Sequence, residues 1–141
     1  MNDIAGAIGT IQLRRLPKFL ERRREIARLY SLALADLDWI TPPPEPEFNE
    51  TVSWYFYWIQ TSPNVRNSLA YHLRQRQIYT TFRYWPLHKT RLYASSRQFP
   101  GANQASATTL LLPCHNGLSN ADLDSVVVAI RDFAPQAAKL Q

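Results

Sequence analysis

Four prolines fall within the ten residues of "TPPPEPEFNE", Thr41 to Glu50, and they divide the chain. Proline fixes its own φ and offers no N–H, so neither a helix nor a hydrogen-bonded ladder runs through such a stretch. It is a stiff connector without a core of its own. Residues 1–40 must therefore complete their secondary structure before it, and residues 51–141 must build theirs after it.

Before the connector the pattern is helical. Ile4, Ile8 and Ile11 recur at i, i+4 and i+7, and Ile26, Tyr30 and Leu34 continue at the same spacing. Asn2 or Asp3 is placed to cap the start. Pro17 interrupts the run, and the expectation is two helical pieces, the second beginning near Leu16 with proline in its first turn.

After the connector, "TVSWYFYWIQ" (51–60) alternates Val52, Trp54, Phe56 and Trp58 against Ser53, Tyr55, Tyr57 and Ile59, which predicts a strand. "SPNVRNSLAYHLRQRQI" predicts a helix capped at Ser62 or Asn64, with Val65, Leu69 and Leu73 on its inner face. "IYTTFRY" reads as a strand stopped by Pro86, residues 87–106 as an irregular loop, and "TTLLLPC" as a short buried strand. Ser119 and Asp122 have the spacing of a capping box ahead of a helix that turns Leu123, Val126 or Val127, and Ile130 inward. The order predicts an α+β fold, a small and mainly antiparallel sheet covered by helices. At 141 residues this is one domain, 1–141, with a helical segment 1–40, the connector 41–50 and an α+β core 51–141.

Composition narrows the function. The chain is 45% hydrophobic and 19% charged, and no apolar run approaches the ~18 residues of a membrane span. No secretory pattern opens it and Cys114 is its single cysteine, so a cytoplasmic setting is expected. The net charge is +5, but Arg22, Arg23 and Arg24 fan across roughly 200° of a helix, which reads as a solvated face and not as a phosphate-tracking stripe. No nucleic-acid partner is expected. His72, His88 and His115 stand apart, there is no glycine-rich phosphate loop, and no metal site is expected. Cys114, following an apolar strand, reads as a small buried residue and not a nucleophile.

Four strings, "MNDIAGAIGTIQLRRL", "RREIARLYSLAL", "IYTTFRYWPLH" and "LLLPCHNGLSNADLDSV", in this order and spacing, closely resemble the carboxy-terminal part of the DegT-type sugar aminotransferases. The resemblance runs from Met1 to about Phe133. It implies the fold of the small C-terminal domain of fold type I aminotransferases, enzymes that use pyridoxal phosphate and generally aminate keto sugars carried on nucleotides. In such enzymes a large amino-terminal domain carries the Schiff-base lysine, and nothing here matches it: Lys18, Lys89 and Lys139 all lack its sequence context. A lysine that forms the Schiff base also shuttles protons in the transamination, so no catalytic residue and no bound cofactor are expected of this chain alone.

By the same resemblance the stretch around Pro86 borders the cleft between the domains. It implies Arg83, Tyr84 and His88 as substrate-binding residues, with Arg83 pairing an anionic group and His88 donating to phosphate or hydroxyl oxygens of a sugar nucleotide. Two departures stand out: Gln77 replaces a common glycine, and Asn103 a common glutamate. If position 77 is left-handed, glutamine there costs about 1 kcal/mol. The implied partner is the large aminotransferase domain, or a second copy joined through the apolar N-terminal helix, so an oligomer is expected. The alternative function is a stand-alone interaction or regulatory protein that has kept the small-domain fold.

Overall fold

The apolar spacing that opens the chain becomes one helix and not two. In the computed structural model, which describes residues 2–47, 51–82 and 85–133, α1 spans Asp3–Ala33 with Pro17 inside it. Asn2 is the cap, its side-chain oxygen accepting from the Ala5 amide at 2.9 Å. An internal proline costs a helix about 3 kcal/mol, mostly through a lost donor and a clash one turn back. Here that turn holds Leu13, whose stretch of helix is exposed, so water can serve the carbonyl that loses its partner.

The predicted strand over 51–60 survives only as β1, Tyr57–Gln60. Trp54 has φ 46°, a left-handed value rare for a bulky side chain, and it turns the chain out of the extended conformation before Tyr57. Arg23 secures this turn by donating from Nη1 to the carbonyls of Trp54 (3.2 Å) and Tyr55 (2.9 Å). Its neighbour Arg22 donates to the Leu118 carbonyl at 2.6 Å and to Asn120 Oδ1 at 2.8 Å. Two members of the arginine run are therefore clamps that hold loops to α1, not parts of a solvated face.

Helix α2, Pro63–Gln75, starts after Ser62 and buries Val65, Leu69 and Leu73 as its spacing predicts. It ends in a carbonyl-capping turn: the Gln77 amide donates to the Arg74 carbonyl and the Ile78 amide to the Leu73 carbonyl, both at 3.0 Å. Gln77 has φ 61°, the left-handed conformation anticipated for this position. Glycine adopts it without strain, so Gln77→Gly is expected to raise the free energy of unfolding by about 1 kcal/mol, measured by urea denaturation. A loss of stability would show that the glutamine side chain contributes packing.

The same cap shortens the next predicted strand. With the Ile78 amide committed to α2, the described part of the segment from Ile78 meets the sheet at Thr81, which bridges to Leu111. Residues 87–106 are not an irregular loop throughout. Two 3₁₀ turns, Leu87–Lys89 and Arg91–Tyr93, lead to helix α3, Pro100–Thr108, and α3 runs directly into β2, Thr109–Leu112. Helix α4, Asn120–Arg131, begins with the predicted capping box, the Ser119 hydroxyl and the Asp122 carboxylate each serving the other's amide. These hydrogen bonds hold the Asp122 carboxyl below its ordinary range.

Strands β1 and β2 pair antiparallel, Tyr57 opposite Leu112 and Ile59 opposite Leu110. Single bridges extend the ladder on both sides, Thr41 to Gln60 and Thr81 to Leu111. Alternation sends Tyr57, Ile59, Leu110 and Leu112 to one face, where they meet Ile26, Tyr30 and Leu34, Leu69 and Leu73, and Leu123, Val126 and Ile130. One face of a small antiparallel sheet is thus covered by α1, α2 and α4, the α+β arrangement expected. The opposite face, with Trp58 and Leu111, is the one that positions the candidate site.

Candidate functional site

That second face is only partly roofed, by α3 and the chain around Pro86. Between them and the sheet lies a groove of about 490 Å³, lined by Phe56, Phe82, Trp85, Leu87, Ala105 and Leu111 among others. Trp85 remains 68% exposed, whereas Pro86 beneath it is buried. One wall is set by Arg66 of α2, whose guanidinium lies 4.3 Å from the centre of the Phe82 ring and donates to the Ser106 carbonyl of α3. Burial lowers the Arg66 pKa from its ordinary value, and this residue ties two helices to the groove. Nothing in the sequence marked Arg66, because its partners, a distant ring and a backbone carbonyl, are brought to it by the fold.

His88 sits in the 3₁₀ turn that follows Pro86. The turn is closed by the Lys89 amide to the Pro86 carbonyl at 2.9 Å and by the Thr90 hydroxyl to the Leu87 carbonyl at 2.7 Å. Its ring lies 4.8 Å from that of Phe99, tilted by 34°, and its Nε2 is 3.1 Å from Asn103 Oδ1. Phe99 and Asn103 belong to the start of α3, which apolar spacing did not reveal. Arg83 and Tyr84, the other two expected substrate contacts, lie outside the described residues. Lys89 is exposed, with Nζ 5.8 Å from the centre of the Trp85 ring.

A larger cleft of about 640 Å³ opens near the end of β2, lined by Tyr55, Tyr79, Arg76, Cys114, His115 and Asp122 among others. Three of its polar groups, those of Asp122, Arg76 and Cys114, are already engaged. Asp122 belongs to the capping box, and Arg76 Nη1 lies 3.2 Å from His72 Nδ1. The Cys114 thiol donates to the Trp54 carbonyl at 3.6 Å, and burial pushes its pKa up, with Arg23 opposing. A thiol kept protonated in this way is a packing group and a poor nucleophile. Among the described residues no cluster of histidine, cysteine and carboxylates could hold a metal ion, and no helix is long and apolar enough to cross a membrane.

Comparison with known proteins places this geometry in context. The sequence family described as the DegT/DnrJ/EryC1/StrS aminotransferase family matches residues 1–131. A dTDP-4-dehydro-2,3,6-trideoxy-D-glucose 4-aminotransferase from Saccharopolyspora spinosa is 42% identical over 125 residues, 89% of this chain but 32% of that protein. Among solved structures, an aminotransferase, TlmJ, from Streptoalloteichus hindustanus superposes with a TM-score of 0.91 at 44% identity, over 99% of this chain and 38% of that one. The sugar aminotransferase CalS13 from Micromonospora echinospora superposes at 0.85 with 25% identity, over 95% and 36% of the two chains. The chain thus spans about a third of the length of each of these three relatives.

Proposed function

Because the chain belongs to the DegT/DnrJ/EryC1/StrS aminotransferase family, we propose that it is the C-terminal domain of a pyridoxal-phosphate-dependent nucleotide-sugar aminotransferase and is inactive alone. The observation that carries this reading is coverage: the match takes in nearly all of this chain and only 32% to 38% of its similar relatives. In this reading residues 1–141 form one domain, and its substrate edge is Arg83, Tyr84 and His88. His88 contributes a ring fixed by Phe99 and Asn103 beside the apolar groove. The missing two thirds supply the cofactor and its lysine.

Among the described residues no lysine is placed to hold pyridoxal phosphate. A Schiff-base lysine works from an enclosed, desolvated position, which brings its amine toward the neutral form. Lys18 is exposed on α1 and Lys89 is exposed on a surface turn, while Lys139 lies outside the described residues. No catalytic step is therefore assigned to this chain. Treatment with excess pyridoxal phosphate and borohydride, followed by mass spectrometry, is expected to give scattered substoichiometric labelling and no single-site adduct. A stoichiometric adduct on Lys89 would overturn the reading.

A second reading, the stand-alone interaction protein, draws support from the exposed apolar residues of the first half of α1, which suit any protein partner. The two readings share the fold and separate on whether the chain completes an aminotransferase.

A further inference from the structure

The hydrogen bond between α3 and the 3₁₀ turn fixes more than the position of the His88 ring. A neutral imidazole carries one N–H, and the group its nitrogen faces decides which nitrogen holds it. At His88 the Nε2 atom lies 3.1 Å from the side-chain carbonyl oxygen of Asn103, an atom that can only accept. With the amide in this orientation, Nε2 is the donor. Nδ1, which has no hydrogen-bond partner among the described residues, is left with a lone pair.

Asn103 is itself well anchored. Its amide donates to the Phe99 carbonyl at 3.0 Å in the first turn of α3, and its side chain is half-buried. Phe99 supplies the face against which the ring rests, at 4.8 Å between centres. One short segment, Phe99 to Asn103, thus sets both the plane of the imidazole and its tautomer.

We propose that Asn103 is a positioning residue that holds His88 as the Nε2–H tautomer, so that Nδ1 accepts a hydrogen bond from a hydroxyl group of the bound sugar and does not contact its phosphates. The ligand half of this statement rests on the reading that His88 borders the sugar site; the tautomer half does not. The assignment revises the sequence expectation that His88 donates to phosphate or hydroxyl oxygens. A lone pair on Nδ1 repels a phosphate oxygen and attracts a hydroxyl hydrogen.

Nitrogen-15 NMR of the three histidine rings, run where they are neutral and with His88→Gln identifying the signal, tests the tautomer half. His88 should show an unprotonated Nδ1 and an Nε2–H proton protected from solvent exchange. Asn103→Ala should abolish that protection, while Asn103→Asp, which keeps an acceptor oxygen, should retain it. Circular dichroism identifies any variant that has unfolded, and the wild-type spectrum decides the tautomer without a variant. An Nδ1–H ring in the wild type, or undiminished protection in Asn103→Ala, would overturn the proposal.

The ligand half is read by titrating the labelled chain, joined to the matching N-terminal two thirds of the Saccharopolyspora spinosa relative, with dTDP-glucose and separately with inorganic pyrophosphate. Movement of the Nδ1 signal with the nucleotide sugar alone is expected. Movement with pyrophosphate would contradict the hydroxyl assignment. Movement with neither would remove His88 from the sugar site and refute the ligand half, while the exchange measurement still decides the role of Asn103.

Discussion

The parent chain is expected to self-associate with rising concentration, and one carrying Ile4→Gln, Ile8→Gln and Ile11→Gln to melt within about 3 °C of it yet to scatter light as a monomer. The three side chains are 72%, 59% and 44% exposed, so the folded domain gains little from them. Their placement is not random. At 100° per residue Ile4, Ile8 and Ile11 fall within about 60° of one another, and Ile26 falls on the same side of α1. Ile26 is fully buried against α4 and the sheet, so the face that packs on the core in the second half of α1 continues uncovered along the first half. A helix of 31 residues is about 46 Å long, and only its second half rests on the domain.

Burying an isoleucine stabilises by about 1.5 to 3 kcal/mol. Even with partial burial, three of them would contribute roughly 4 kcal/mol to such an association, about a thousand-fold in a dissociation constant. A parent chain that stays monomeric at high concentration and binds no hydrophobic reporter dye would contradict this account of α1.

The second large effect lies in the core. Tyr30→Ala is expected to lower the free energy of unfolding by about 3 to 5 kcal/mol, enough to abolish cooperative unfolding in a domain of ordinary stability. Tyr30 is fully buried, with its ring 5.1 Å from that of Tyr57, and its hydroxyl donates to the Pro113 carbonyl at 3.0 Å just beyond β2. Burial, the principal cause, pushes its phenol pKa well above the ordinary value, which favours the protonated, donating hydroxyl. Tyr30→Phe separates the two contributions. It keeps the ring and orphans one carbonyl, and should cost about 1 kcal/mol. Urea denaturation of both variants checks the difference; equal losses would mean that the hydroxyl, not the ring, dominates.

What could be read from the sequence was what local chemistry decides. The Ser119–Asp122 box and the inner face of α2 each depend on residues within a few positions, and each occurs as the spacing implies; the left-handed Gln77 answers a condition that only the family resemblance had raised. The differences arise where distant groups intervene. Alternation over 51–60 favoured a long strand, but carbonyls at Trp54 and Tyr55 are drawn to Arg23, about 30 positions earlier, and the strand begins only at Tyr57. Pro17 argued for a break that the long α1 absorbs on an exposed turn. Helix α3, "PGANQASAT", has too few large apolar residues to show a period; alanine propensity and Pro100 in its first turn were the available signals. Missing α3 left the contacts of Phe99 and Asn103 with the His88 ring unread, although Asn103 itself stood out as a departure from the family pattern.

The most direct test replaces the matching C-terminal third of the Saccharopolyspora spinosa relative with this chain and assays transamination of that enzyme's keto-sugar substrate. The account predicts that the chimera folds, loads pyridoxal phosphate and turns over, while neither this chain nor the truncated relative does so alone. A chimera that folds and loads cofactor yet never turns over, or transamination by this chain alone, would contradict it.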